Sequence, residues 1–232
     1  MSTNNNEPIS LVVFDMAGTT VEDTGLVEQS FKAADDHAGL SRTDADREEM
    51  LRYVSETMGR SKIVVFRHLA RGDEERAQAA NKEFERCYAQ LVAEGNCSPI
   101  PGAEDVITSL RGRGIRTALT TGFAHETQSA ILDALGWHDL ADVVLCPGAG
   151  MRGRPYPDMP LTALMRTGTD SVRSMIVLGD TSSDVLSGLR AGARASIGVL
   201  TGAHDTAQLS EAGATHILDS VTDLPALVAA LN

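Results

Sequence analysis

The stretch LVVFDMAGTT, residues 11–20, decides how the rest of the chain reads. Four apolar β-formers run into a carboxylate, Asp15, and the chain then breaks into a Gly/Thr turn. This is the pattern of a short buried strand that ends on an acid. An aspartate at a strand end is ordinarily a turn former or a helix cap, so its surroundings must say whether it does chemistry. Two positions on stands Ala17, whose methyl group can neither donate nor accept a proton.

Outward from this strand, short β-runs alternate with helical patterns. The runs are SLVVF (10–14), IRTALT (115–120), DVVLC (142–146), SMIVLG (174–179), ASIGVL (195–200) and THIL (215–218). AEDVITSLRGRG, HETQSAILDALG, SDVLSGLRAG and DLPALVAAL read as helices between or after them. Such alternation predicts an α/β fold, a doubly wound parallel sheet with right-handed crossovers. Residues 25–97 differ: they are charged, helical and without a strand signal. Phe84, Cys87, Tyr88, Leu91 and Val92 form the apolar stripe of one helix. TDADREEMLRYVSETMG predicts another, with Thr43 as its N-cap and Gly59 as its stop. The expected organisation is a core domain of residues 1–24 and 98–232, with a helical cap domain of residues 25–97 inserted as a lid.

In a doubly wound sheet, ligands bind beyond the carboxyl ends of the strands. The residues that follow the predicted strands are Asp15, Thr121-Gly122, Arg154 in GRPYPD, and Asp180 in GDTSSD. Two carboxylates, a hydroxyl beside a glycine amide, and a guanidinium would meet at one edge. That set suits a Mg²⁺ ion and a phosphoryl group, since Mg²⁺ favours one or two carboxylates with other oxygens completing its shell. The phosphoryl oxygens need hydrogen-bond donors and a fixed cation.

Of 232 residues, 42% are hydrophobic and 22% charged, as in an ordinary globular protein. A net charge of −12 argues against a nucleic-acid partner. The polar start MSTNNNEPIS shows no secretory signal, and no apolar run is long enough for a membrane span. Cys87, Cys97 and Cys146 share no metal-ligand spacing, which fits reduced thiols and a cytoplasmic location.

In order, DMAGTT, LTTG, GRPYPD and GDTSSD resemble the four motifs of the haloacid dehalogenase superfamily. The chain is most similar to its phosphonatase (phosphonoacetaldehyde hydrolase) branch. The shared features are D-x-A-G-T-T, which includes Gly18, an arginine in GRPYP, and a cap motif M-G-x-x-K, here Met58, Gly59 and Lys62. The resemblance implies that Asp15 attacks phosphorus to form an aspartyl-phosphate. It further implies that the Asp15 carboxylate, the Ala17 carbonyl and Asp180 hold Mg²⁺, with Asp184 one layer further out. Thr121, the Gly122 amide and Arg154 would then carry the charge on the transferring phosphoryl group. It also favours a homodimer acting on a small phosphonate or phosphate.

Ala17 and Lys62 make one chemical argument within this resemblance. A phosphate monoester needs an acid to protonate its leaving alkoxide, and related phosphatases place an aspartate where Ala17 stands. Cleaving a C–P bond instead leaves an electron pair on carbon, which needs a sink. A protonated imine between Lys62 and a substrate aldehyde provides one. This chain departs from the branch at Val65, where a histidine is usual, at Phe123 for a tyrosine, and at Gly25 for a cysteine. His68, one helical turn beyond Val65, is the candidate replacement for the histidine. The alternative functions are a phosphomonoesterase of phosphoglycolate type, disfavoured by Ala17, and a metal-free dehalogenase, disfavoured by Asp180 and Asp184. A catalytically silent binding module is disfavoured by the intact polar set.

Overall fold

The computed structural model describes residues 7–148 and 150–232. All five side chains of β1 (Leu11–Asp15) are buried. Because successive strand residues face opposite ways, Leu11 and Val13 join one apolar cluster and Val12 and Phe14 another. β1 is thus a central strand covered on both sides, as parallel sheets are.

The first long connection carries four helices, α1 (Leu26–Ala38), α2 (Asp44–Glu56), α3 (Lys62–Leu69) and α4 (Glu74–Ala93). Then follow α5 (Ala103–Gly112), β2 (Arg116–Thr120), α6 (His125–Leu135), β3 (Val143–Leu145) and α7 (Asp158–Thr167). The chain ends with β4 (Met175–Gly179), α8 (Ser182–Ala191), β5 (Ala195–Val199), α9 (Thr206–Glu211), β6 (His216–Leu218) and α10 (Leu224–Leu231). The strands lie in the order β3-β2-β1-β4-β5-β6, and every pair is parallel. Order reverses between β1 and β4, so the ligand crevice of this topology opens beyond Asp15 and Asp180. Among the described residues, no helix is long and apolar enough to cross a membrane.

The four-helix segment has its own aromatic centre. Phe31 of α1 lies 4.9 Å from the Phe66 ring of α3 and 4.8 Å from the Phe84 ring of α4. Phe123, from the loop after β2, completes it at 4.5 Å from Tyr88. The outgoing and returning connectors pair: the Glu22 amide donates to the Ser98 carbonyl and the Ile100 amide to the Thr20 carbonyl, each at 2.9 Å.

Thr43 caps α2 as expected, its hydroxyl accepting from the Asp46 amide at 3.1 Å. The expected stop at Gly59 is corrected, because α2 already ends at Glu56. There the Thr57 hydroxyl donates to the Tyr53 carbonyl at 2.7 Å and its amide turns back as well. Gly59 instead forms a separate turn at φ 80°, from which Lys62 opens α3.

Candidate active site at the crossover point

The chain leaves β1 through a turn bonded to itself. The Met16 carbonyl accepts the amides of Thr19, Thr20 and Val21, and the Thr20 hydroxyl donates to the Asp15 carbonyl at 2.9 Å. Gly18 in that turn has φ 82°, where a Cβ would stand 2.5 Å from an Asp180 carboxylate oxygen. Only glycine meets both demands. The Ala17 carbonyl accepts none of the turn's backbone bonds.

Asp15, Asp180 and Asp184 bring one carboxylate oxygen each to within 4.8 Å of one another, all buried. Arg154, 3% exposed, donates to Asp15 at 2.5 Å and pairs with Asp184 at 2.7 Å. It also donates to the Thr120 hydroxyl at 3.1 Å. Asp180 accepts from the Thr19 hydroxyl at 3.1 Å and the Ala203 amide at 2.8 Å. Asp184 accepts from the Thr181 hydroxyl at 2.5 Å and from the Thr181 amide at 3.2 Å, the latter bond closing the capping box of α8. Burial, then repulsion from Asp15 and Asp184, pushes Asp180 well above the carboxylate range. Burial likewise pushes Asp184 up to about 7, against the opposing pull of Arg154. When all three are ionised, the single guanidinium leaves two negative charges uncompensated, the complement of a divalent cation. Their oxygen donor set fits Mg²⁺.

A cavity of about 310 Å³ opens in front of this cluster. Asp15, Ala17, Met58, Gly59, Lys62, Thr121, Gly122, Arg154 and Asp180 all line it, whereas Gly18 and Asp184 stand behind its wall. Thr121 accepts the Phe123 amide on its hydroxyl oxygen at 3.2 Å, which leaves the hydroxyl proton free to donate into the cavity. The four-helix segment seats closely: a Cβ on Gly59 would lie 2.3 Å from the Thr181 hydroxyl, and one on Gly122 would lie 2.7 Å from the Arg60 carbonyl. Two side chains tie the layers together. Glu85 of α4 accepts the Thr127 hydroxyl and, at 3.3 Å, the Ala124 amide at the start of α6. His204 accepts the Ser182 amide on Nδ1 at 2.9 Å, which leaves Nε2 as the protonated nitrogen facing the Ser55 carbonyl of α2 at 3.3 Å.

Lys62 is 5% exposed, and its Nζ stands 5.1 Å from the Phe123 ring centroid and 5.7 Å from those of Phe31 and Phe84. It makes no ion pair among the described residues. Burial lowers its pKa to about 8; Asp23, Glu85 and Asp15 oppose the shift, and Arg154 adds to it. The result is an amine, half deprotonated near pH 8, facing the same cavity as a buried aspartate. His68 does not join it. Its ring stacks on Tyr53 at 4.0 Å and lines a different cavity, with Met50 and Leu69. That expectation is corrected: one turn beyond Val65 along α3 turns the side chain away from the site. Sequence reading also missed Asp23, Thr19, Glu85 and the two lid phenylalanines of the cage. Thr19 lies within the quoted motif, whereas the others carry no local signal.

Across residues 9–192 the chain matches the haloacid dehalogenase-like hydrolases. It belongs to that family. A relative, "Probable phosphatase IndB" of Dickeya dadantii, is 30% identical over 218 residues, covering 92% of this chain and 91% of its own. "Phosphonoacetaldehyde hydrolase" of Bacillus cereus is 33% identical over 215 residues, covering 85% and 78%. Among solved structures, "a hydrolase from Pseudomonas syringae" superposes with a TM-score of 0.82 at 21% identity, over 95% and 98% of the two chains. A phosphonoacetaldehyde hydrolase-like protein from Oleispira antarctica gives 0.80 at 23% identity, over 97% and 92%. The protein is therefore a haloacid dehalogenase-like hydrolase with the family's α/β fold.

Proposed function

We propose that this hydrolase cleaves the C–P bond of phosphonoacetaldehyde. The observation that carries the reading is Lys62: a buried, ion-pair-free amine of lowered pKa in the same cavity as Asp15. Asp15, the Ala17 carbonyl and Asp180 would hold Mg²⁺, and Asp184 would fix Arg154. When bound, the ion supplies charge neutralisation for the phosphoryl oxygens and for the carboxylate cluster.

Lys62 Nζ condenses with the aldehyde to a protonated imine. An Asp15 oxygen, oriented by Arg154, attacks phosphorus as the C–P bond breaks. The C–P electron pair moves into the imine, leaving an enamine on Lys62 and an aspartyl-phosphate on Asp15. Thr121 and the Gly122 amide donate to the phosphoryl oxygens. Water then hydrolyses the acyl phosphate. Ala17 is consistent with this chemistry, since an enamine leaving group needs no proton at that position. Burial of Nζ favours its neutral form, and the three ring faces offset part of that by attracting an ammonium.

Residues 25–97 act as the cap in this reading, opening about the paired connectors at 20–22 and 98–100. A second reading, a phosphomonoesterase of phosphoglycolate type, draws on the fact that no histidine lines the cavity. Phosphate release from phosphonoacetaldehyde and from phosphoglycolate, measured side by side with Mg²⁺, separates the two. The C–P reading expects turnover of the former only. Turnover of phosphoglycolate alone would replace it with the second.

A further inference from the structure

Imine chemistry moves protons at nitrogen, at the departing oxygen and at carbon, and each needs a carrier within reach. His68 is turned away. Of the carboxylates lining the cavity, Asp15 is held by Arg154, and Asp180 is held by Thr19 and Ala203. Glu28 is exposed and paired with Lys32 at 2.5 Å. Asp23 remains. It is half-buried on the connector between β1 and α1, lines the same cavity as Lys62, and carries one long bond, from the Val27 amide to Oδ1 at 3.4 Å. Its Oδ2 has no partner among the described residues. Asp23 is also the foremost of the negative charges acting on Lys62, and the two face one cavity without forming an ion pair among the described residues.

Resting on the C–P reading above, we propose that Asp23 is the proton carrier of the Lys62 imine. The Asp23 carboxylate takes one proton from the Lys62 ammonium. The neutral amine adds to the aldehyde carbon, forming the C–N bond and moving the carbonyl π pair to oxygen. The nitrogen's second proton passes to that oxygen, and Asp23 returns the first, so the hydroxyl leaves as water and the protonated imine remains. After C–P cleavage, Asp23 relays a solvent proton to the terminal enamine carbon. Water then adds to the new imine, which collapses to acetaldehyde and the Lys62 ammonium. The water released in the first half is thus matched by the water consumed in the second.

The test compares wild type, Asp23→Asn and Asp23→Glu in two assays with Mg²⁺. One is phosphate release from phosphonoacetaldehyde; the other is deuterium uptake into the methyl group of acetaldehyde in D2O, which reads proton transfer at carbon without any C–P step. Asparagine keeps the Oδ1 acceptor for the Val27 amide, so a purely structural role predicts little change. The proposal expects Asp23→Asn to lose about 10²- to 10⁴-fold in kcat and to lose the exchange, with partial recovery of both in Asp23→Glu. An Asp23→Asn enzyme that retains exchange and more than about a tenth of kcat overturns it. If wild type itself does not cleave phosphonoacetaldehyde, the C–P reading falls and takes this assignment with it. The wild-type arm identifies that outcome.

Discussion

The two ends of the cavity solve opposite electrostatic problems. At the sheet edge, three buried carboxylates gather around one guanidinium and are left short of positive charge. At the other end, one buried amine faces three aromatic rings and makes no ion pair among the described residues. The first end has the charge and donor set that would suit a cation and a phosphoryl group. The second lowers the cost of deprotonating an amine, so that a share of it is neutral and nucleophilic as the pH approaches about 8. A site meant only to grip a second anion would keep its lysine protonated and solvated, so the contrast favours C–P chemistry over a simple anion clamp.

Damage at the sheet edge should be general, and damage at the lid selective. The largest effect is expected from Asp15→Asn, which removes the proposed nucleophile while keeping its shape. Phosphate release should fall by about 10⁴-fold or more, as for other covalent nucleophiles, with the circular dichroism spectrum unchanged. A variant that keeps a tenth of the wild-type rate would remove Asp15 from that role. Arg154→Ala should cost about 10²- to 10³-fold, the scale of losing one fixed charge at the transition state. It also strands Asp184 without its counter-ion, so a lower melting temperature should accompany the kinetic loss, whereas unchanged kinetics would contradict the assignment.

A subtler effect is expected in the pH profile. With Lys62 near 8, kcat/KM for phosphonoacetaldehyde should rise about tenfold per pH unit below that value and level off above it. The sign follows from the chemistry, because the neutral amine attacks and protonation removes it. Phe123→Ala, by letting water to Nζ, should move this break upward toward the ordinary lysine value of 10.5. A break that stays put would mean that the cage does not control the amine. The smallest effect belongs to Glu85→Ala, which removes the tie between α4 and α6. A loss of about 1–3 kcal/mol in urea unfolding is expected, with kcat little changed.

The same contrast explains what the sequence revealed. The sheet end was legible because β1, β2 and β4 deliver Asp15, Thr121 and Asp180 from strand ends, and the parallel topology brings strand ends together. All six strands fell within a residue or two of their apolar runs for the same reason. The lid end was legible only at Met58, Gly59 and Lys62. Its cage is assembled from α1, α4 and the loop after β2, so Phe31, Phe84 and Phe123 are far apart in the chain and look like ordinary core residues. The misplacement of His68 has a similar origin: one turn along a helix preserves the face only approximately, and stacking on Tyr53 settles its direction. The early end of α2 rests on the Thr57 side chain, whose competition for backbone carbonyls weakens a helix from within.

The central claim is that Lys62 forms a covalent imine with the substrate, and borohydride tests it most directly. Reducing the enzyme during turnover of phosphonoacetaldehyde should inactivate it irreversibly, and peptide mapping should find a two-carbon adduct on Lys62. Lys62→Arg keeps the positive charge but cannot form the imine, so the adduct and the C–P activity should vanish together. An arginine variant that still releases phosphate from phosphonoacetaldehyde, or a wild-type enzyme that turns over without an adduct at Lys62, would contradict the account.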